Sequence, residues 1–393
     1  MSFGRFAYTL ILPDMMRVLG LTTSLMGVLG TCIVAGYLLF SLLSGNLAGI
    51  IGPARTVKMS AAAVSLALTA LGTFSRFIPL AAASALLGAG AAGSYIPLIS
   101  ILNHSCERKG SAFGIVMGGA GLGIVLVGYA LPPILSLSAT LGYRLSWYAL
   151  AVVNTMVLLL ALFLLDGGEP VDREQDRAET SEKSEGRGHS LSLPASAGWI
   201  RENRPLFITI AVYFLVGFSY IIYVTYFGAY AVSEIGFTTR KTGAMWSLFG
   251  INSIYSGLLW GFFSDKTNKT AIATLATALL AISILIVIPF SSSFFFFAST
   301  FLFGFSFMGF IVVTASLISD HADRRMMAQV FGASTLIHGS GQVLGAFLAG
   351  ILKDATGSFR TPFLLSSTVL GAGVFLFTLV HRLHRSRDRA AQI

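Results

Sequence analysis

Apolar stretches of about 20 residues, separated by short polar segments, run through almost the whole chain. At a rise of 1.5 Å per residue, a helix of about 20 residues can cross the roughly 30 Å hydrocarbon core of a bilayer. The composition agrees with this, because 55% of the residues are hydrophobic and 11% are charged. The sequence therefore predicts an all-α membrane protein.

Twelve transmembrane helices are expected. Their predicted limits are residues 1–18, 22–48, 56–75, 78–103, 111–135, 145–165, 205–232, 240–263, 270–290, 294–318, 328–352 and 361–381. Lys and Arg residues are scattered over the short loops, with 18 on the side of the chain termini and the central polar stretch and seven on the opposite side, so the positive-inside rule places both termini in the cytoplasm. The expected location is a cell membrane, most simply the bacterial inner membrane, and a nucleic-acid partner is not expected.

The sequence repeats itself with a constant spacing. Gly20-Leu-Thr-Thr recurs as Gly236-Phe-Thr-Thr, and Gly88 recurs as Gly304. Transporters are often built from such repeats of apolar helices, with a substrate path between the two copies. The spacing predicts two pseudo-symmetric six-helix bundles.

One long polar stretch divides the chain at its middle. Residues 166–204 are rich in charged residues, Ser, Gly and Pro, a composition that cannot bury enough apolar surface to fold. We predict an N-terminal bundle over residues 1–165, a cytoplasmic linker over 166–204, and a C-terminal bundle with a basic tail over 205–393.

Arg5 is the most informative charged residue. Eleven residues, or about 17 Å of helix, separate it from an expected membrane boundary near Met16, so it is predicted near the middle of the bilayer. A charge there normally faces a cavity or a partner, and Asp14 is too far along the same helix to neutralise it. Arg5 is a candidate for binding a carboxylate or phosphate, with Tyr8 and Thr9 on the same face. Anchoring a short first helix at the cytoplasmic edge, or capping backbone carbonyls, is the alternative.

Other polar residues are predicted near the middle of their spans. In helix 7, Tyr220 and Tyr223 belong to an aromatic stripe that either lines a cavity or packs in the interior. In helix 11, His338 and Gln342 lie one turn apart, and the histidine could carry a coupling proton or be satisfied by nearby backbone. Asn252 in helix 8 is a further candidate binding residue, with interhelical hydrogen bonding as the alternative.

Signals for an enzyme are weak. Gly88-Ala-Gly-Ala-Ala-Gly93 matches a dinucleotide-binding pattern, but it lies within an apolar helix and does not follow a strand. The sequence has no P-loop, nucleophile elbow, zinc-protease or paired-cysteine motif. We therefore expect neither catalytic residues nor a cofactor or metal ion.

Two loops resemble the signature loop of the major facilitator superfamily. The loop after helix 8 reads Gly261-Phe-Phe-Ser-Asp265-Lys266, and its counterpart after helix 2 runs from Gly45 to Arg55. In addition, the segments around Arg5 and Tyr220 look like those of the YbfB/YjiJ-type branch. The resemblance covers nearly the whole chain, and compared with the family the first helix is truncated, so we expect an apolar segment of about ten residues upstream of Met1.

The resemblance implies two bundles that rock about a central site, with a monomer as the expected state. In the superfamily the loop aspartate helps to hold the cytoplasmic side closed, a role that Asp265 could play here. Gly49 stands where the first-half loop should carry its aspartate, so an asymmetric gate is expected. The candidate gating residues are Asp265, Lys266, Gly45, Gly261 and Arg55.

These features predict a secondary transporter of small organic anions that works by alternating access, with the proton as the expected coupling ion. One alternative is efflux of apolar or cationic compounds, with the Phe-rich helix 10 as a cavity wall. A transporter-like receptor without flux is another. Cationic substrates usually need an acidic side chain in the interior, and the sequence places its acidic residues in loops and helix ends apart from Asp14.

Overall fold

The computed structural model describes residues 2–105, 109–165, 203–321 and 327–391. The backbone of Arg5 lies in these ranges, but its side chain is outside the description, as are the side chains of residues 102–115 and 381–391. Nearly all of the predicted linker, residues 166–202, is also outside.

The described part of the chain folds into twelve α-helices, as predicted. They are α1 (Ser2–Leu19), α2 (Thr23–Ile51), α3 (Pro53–Thr73), α4 (Phe77–Ser105), α5 (Lys109–Ser136), α6 (Gly142–Leu164), α7 (Arg204–Ala229), α8 (Thr239–Lys266), α9 (Lys269–Leu285), α10 (Ser293–His321), α11 (Met327–Thr356) and α12 (Arg360–Ala391). A π-helical turn, Tyr230–Glu234, extends α7. The helices agree with the predicted spans to within a few residues, except that α9 ends earlier than expected and α12 continues into the predicted tail.

Nine helices within the described ranges are long and apolar enough to span a membrane. The exceptions have identifiable causes. The apolar helix α9 has 17 residues, α1 carries Arg5, Asp14 and Arg17 within 18 residues, and α8 is rich in Gly and Ser. The chain is a multi-pass membrane protein.

The sequence repeat is reproduced in the backbone. Gly20 and Gly236 both adopt a positive φ, of 63° and 82°, which side chains rarely tolerate. Two residues later, the hydroxyls of Thr22 and Thr238 cap α2 and α8 by accepting a hydrogen bond from the backbone three residues on. The two copies therefore begin their second helix with the same turn.

Helix packing repeats in the same way. At Gly88, α4 lies so close to α2 that an added Cβ would be 1.8 Å from the carbonyl oxygen of Ile33. At Gly304, α10 also approaches α8 closely, and an added Cβ would be 2.5 Å from the carbonyl oxygen of Phe249. Ile33 and Phe249 are themselves repeat equivalents, so small residues at matching positions set the same helix pair in each half.

Two seams join the first six helices, which we call the N-half, to the last six, the C-half. One seam is formed by α2 with α11 and the other by α5 with α8, while α1 and α7 meet between them. We call the end of the molecule with the α1–α2 and α11–α12 loops the far face. The end with the α2–α3 and α8–α9 turns is the near face.

The α2–α11 seam is packed on its far side only. Thr31 donates a hydrogen bond to the carbonyl oxygen of Val343 over 3.3 Å, and Gly339 packs against Leu38. Closer to the near face, an added Cβ on Gly45, Gly49 or Gly332 would have nothing within 4 Å.

The α5–α8 seam has the same arrangement. The hydroxyl of Ser247 donates to the carbonyl oxygen of Val125 over 3.1 Å, and Gly128 and Gly243 bring the two helices together nearer the far face. Toward the near face, Gly261 of α8 lies against α10 and not against α5. The halves are thus joined at the far face and diverge toward the near face.

Candidate functional site

Between the two seams, α1 crosses α7. The hydroxyl oxygen of Thr9 accepts a hydrogen bond from the backbone N–H of Gly228 over 3.0 Å. An added Cβ on Gly228 would be 2.1 Å from the carbonyl oxygen of Thr9, so only glycine permits this approach. The π-helical turn of α7 follows directly, and such turns often occur at functional sites.

The side chains next to Thr9 hold α1 between the two halves. Tyr8 is buried, and its hydroxyl donates to the carbonyl oxygen of Met26 in α2 over 2.7 Å. On another face, the carbonyl oxygen of Phe6 accepts from the indole of Trp246 in α8 over 3.0 Å. The middle of α1 is therefore fixed to both the N-half and the C-half.

Arg5 lies in the same part of α1. Its repeat equivalent is Ile221, which lies near the middle of the 31-residue segment Arg204–Glu234 and is buried. Asp14 forms an ion pair with Arg17 at the far end of α1. The carboxylate of Asp14 is therefore paired with Arg17, at the end of the helix that is distant from Arg5.

A three-ring stack lies at the contact of α7 with α11. The ring of His338 is nearly parallel to that of Tyr213, with 4.0 Å between centroids, and to that of Tyr220, with 5.6 Å. Its Nδ1 is 2.7 Å from the carbonyl oxygen of Tyr213. A carbonyl can only accept, so Nδ1 carries a proton and a neutral ring has its acceptor at Nε2.

Several polar side chains surround this stack. Gln342 lies one turn along α11 and is mostly buried, with 7% exposed. Tyr37 of α2 and Tyr95 of α4 are half-buried, and their phenol groups are within electrostatic range of Tyr213. Tyrosines of both halves therefore lie near Tyr213. Tyr37 and Tyr95 were missed because a lone tyrosine in an apolar helix gives no periodic signal.

Two predicted site residues have other surroundings. Tyr223 is fully buried in the C-half, where its hydroxyl bonds that of Ser299 over 2.6 Å and its ring stacks on Phe303. Asn252 donates to the carbonyl oxygen of Leu248 in its own helix and accepts from the hydroxyl of Tyr255. The structure does not bring either residue into the group around His338.

The predicted gating residues lie at the near face. Asp265 and Arg55 are exposed, near the end of α8 and the start of α3. The ammonium group of Lys266 lies 4.0 Å from the centre of the Phe262 ring. Of the two predicted glycines, an added Cβ on Gly45 would have nothing within 4 Å, and one on Gly261 would be 3.7 Å from the Val312 side chain of α10.

Carboxylates at the far face hold helix ends, a feature that the sequence did not indicate. Asp354, at the end of α11, accepts hydrogen bonds from the start of α2 in the opposite half. Glu234 accepts from the hydroxyl of Ser358 and from the backbone N–H of Phe359 at the start of α12. Both carboxylates lie at the ends of helical segments, far from their partners in sequence, and the sequence shows no pattern that pairs them.

Twelve helices in two pseudo-equivalent halves, with a polar centre between them, define a transporter of the major facilitator type. The family described as "Uncharacterised MFS-type transporter YbfB" matches residues 1–378. The chain belongs to this family, as its resemblance predicted. Its relatives are transporters and not enzymes.

Relatives with named substrates are distant but extend over most of the chain. The "Probable sulfoacetate transporter SauU" of Cupriavidus necator is 24% identical over 384 residues, which are 94% of this chain and 88% of the relative. The "Monocarboxylate transporter 12-B" of Danio rerio is 24% identical, covering 88% and 76%. The "Hexuronate transporter" of Bacillus subtilis is 21% identical, covering 97% and 90%.

Solved structures show the same fold. A crystal structure of nucleoside transporter NupG superposes with a TM-score of 0.78, covering 96% of this chain and 97% of that one. The sequence identity is 13%, so this likeness concerns the fold alone.

Proposed function

We propose that this protein is a secondary transporter that moves small organic anions across a cell membrane by alternating access. The observation that carries the proposal is Arg5, a permanent positive charge on the helix that is bound to both halves. Its repeat equivalent is in the middle of α7, which supports a position deep in the membrane. An anion there would replace the water that a guanidinium otherwise requires.

The charges along α1 favour an anion at Arg5. Within the described part of the chain, Asp14 is the acidic residue nearest to it in sequence, and it is paired with Arg17. A planar guanidinium can bind a carboxylate or sulfonate through two hydrogen bonds at once. Tyrosine hydroxyls such as that of Tyr220 are suitable neutral donors to the same substrate.

The named relatives support this substrate class. Sulfoacetate, monocarboxylates and hexuronates are all acids that are ionised at neutral pH. We infer that this chain transports a small molecule with one or two carboxylate or sulfonate groups. At identities of 21% to 24%, its substrate can differ from those of the relatives within that class.

Alternating access is supported by the two seams. Both are packed near the far face and diverge toward the near face, as Thr31 and Ser247 on one side and Gly45 on the other illustrate. With the termini in the cytoplasm, which the loop charges favour, this conformation would open inward. The bundles would then rock to close the near face, where Asp265 and Arg55 are exposed.

Coupling to protons is assigned to His338. It is a titratable group in the buried centre, and a histidine changes charge near neutral pH. Its Nδ1 is committed to Tyr213, so proton uptake and release would occur at Nε2. A proton bound there would add a second positive charge near the substrate.

Counterflow in proteoliposomes tests the substrate class. Purified protein would be reconstituted in liposomes, and the exchange of each labelled compound against the same compound inside would be measured for sulfoacetate, monocarboxylates, dicarboxylates, hexuronates and organic cations. We expect saturable exchange of at least one anion and none of the cations. Exchange of cations alone would contradict the proposal and favour the alternative of drug efflux.

Apolar or cationic efflux has a separate observation against it. In the Phe-rich helix α10, Phe303 and Phe307 are buried against Tyr223, Tyr220 and Phe249. They fill the interior of the C-half and so do not form an open wall. The same counterflow assay would detect this activity if it occurs.

A further inference from the structure

The far face contains a charged contact between the two halves. One carboxylate oxygen of Asp354 accepts from the backbone N–H of Thr23 over 3.1 Å. The other accepts from the N–H of Ser24 over 2.7 Å and from the Ser24 hydroxyl. Asp354 belongs to α11 in the C-half, and both partners begin α2 in the N-half.

The start of α2 is well suited to this carboxylate. The first turn of a helix has N–H groups without partners inside the helix, and its dipole favours a negative charge. The hydroxyl of Thr22 satisfies the N–H of Leu25 in the first turn, and Asp354 satisfies those of Thr23 and Ser24. Separating the halves at the far face would leave the N–H groups of Thr23 and Ser24, and the carboxylate of Asp354, without these partners.

The contact occurs on one seam only. The repeat equivalents of Thr23 and Ser24 are Thr239 and Arg240, and the equivalent of Asp354 is Ser138. The Ser138 hydroxyl accepts from the N–H of Leu141 in its own loop, over 3.2 Å. A serine cannot supply the charge, so the α5–α8 seam lacks this carboxylate contact.

We propose that Asp354 and the start of α2 form the latch that holds the far face closed. This inference rests on the alternating access proposed above. In the described conformation the latch is formed and the near face is open. Opening of the far face requires α2 to leave Asp354, so the latch biases the transporter toward the state that opens at the near face.

Glu234 provides a matched control. It also caps a helix start at the far face, accepting from Ser358 and from the backbone N–H of Phe359. Both its partners belong to the C-half, so its hydrogen bonds need not break when the halves separate. Neutralising Glu234 changes a similar interaction without releasing the latch.

Double electron–electron resonance, which measures distances between spin labels, tests the latch directly. After Cys32 and Cys106 are replaced by alanine, labels are placed on the exposed far-face residues Ala139 of the N-half and Ser291 of the C-half. The distance distribution is recorded in nanodiscs for the parent, Asp354→Asn, Ser24→Ala and Glu234→Gln. No substrate is needed, so a failed substrate assignment would not affect the result.

We expect Asp354→Asn to raise the ratio of long to short distances about tenfold, because hydrogen bonds to a charged group are among the stronger ones. Ser24→Ala should shift it less, in the same direction, and Glu234→Gln should leave it unchanged. An unchanged distribution in folded Asp354→Asn, or an equal shift in Glu234→Gln, would overturn the latch. If Asp354→Asn does not fold, Ser24→Ala decides: a shift supports the latch and no shift overturns it.

Discussion

His338 and Tyr213 are joined twice, by ring stacking at 4.0 Å and by a hydrogen bond of 2.7 Å from Nδ1 to the tyrosine's own carbonyl oxygen. The first contact fixes the plane of the imidazole and the second fixes which nitrogen carries the proton. A histidine held in this way can change its charge at Nε2 without turning. That property suits a proton carrier between two moving halves.

Replacing His338 with asparagine should separate proton coupling from substrate exchange. The asparagine amide can still donate at about the position of Nδ1, so Tyr213 keeps its partner, but the side chain no longer titrates. We expect uptake driven by a pH gradient to fall at least about tenfold, while counterflow at equal pH falls less than about threefold. Both would be measured in the same proteoliposomes.

Tyr213→Phe is the control for this change, because it keeps the stacked ring and the backbone carbonyl. It should retain gradient-driven uptake. Full gradient-driven uptake in His338→Asn would contradict the assignment of His338 as the proton carrier.

Gly88 should tolerate no larger side chain. An added Cβ would be 1.8 Å from a backbone oxygen of α2, so α4 would have to move away. We expect Gly88→Ala to destabilise the protein by about 1–3 kcal/mol, seen as a lower melting temperature in detergent by tryptophan fluorescence.

Gly371 is the matched control for Gly88. It also lies within a helix, but its added Cβ has nothing within 4 Å. Gly371→Ala should leave the melting temperature unchanged or raise it slightly, since alanine favours helix more than glycine does. Equal losses in both variants would argue against the close α2–α4 packing.

The two mid-helix tyrosines of α7 should behave differently. Tyr220 stacks in the group around His338, whereas the hydroxyl of Tyr223 bonds Ser299 inside the C-half. We expect Tyr220→Phe to raise the KM for the transported anion about fivefold, the effect of losing one hydrogen bond of about 1 kcal/mol. Tyr223→Phe should lower thermal stability and leave KM within about twofold. A larger KM effect at Tyr223 would move the substrate site deeper into the C-half.

The sequence predicted what depends on local pattern. The apolar stretches of about 20 residues predicted the twelve helices, and matching small residues such as Gly88 and Gly304 indicated the repeat. Both signals are periodic or occur at a fixed spacing, so they can be read without knowing which helices are neighbours.

The rest depends on how helices are rotated and paired. A stripe of tyrosines does not show whether Tyr220 and Tyr223 face the cavity or the interior, since three residues differ by about 60° around a helix. Asp354 bonds Ser24 across 330 residues, and no local pattern records such a pairing. The length of α12 was underestimated because its polar end lies outside the apolar span.

The KM of anion counterflow in Arg5 variants tests the central proposal most directly. Substrate would be the best anion from the counterflow panel, and folding would be checked by melting temperature. We predict that Arg5→Ala raises KM at least about tenfold, the loss of a charged hydrogen-bonding partner. The KM of Arg5→Lys should lie between those of the wild type and Arg5→Ala, because lysine keeps the charge but not the planar guanidinium group. Wild-type KM in folded Arg5→Ala would contradict an anion site at this residue.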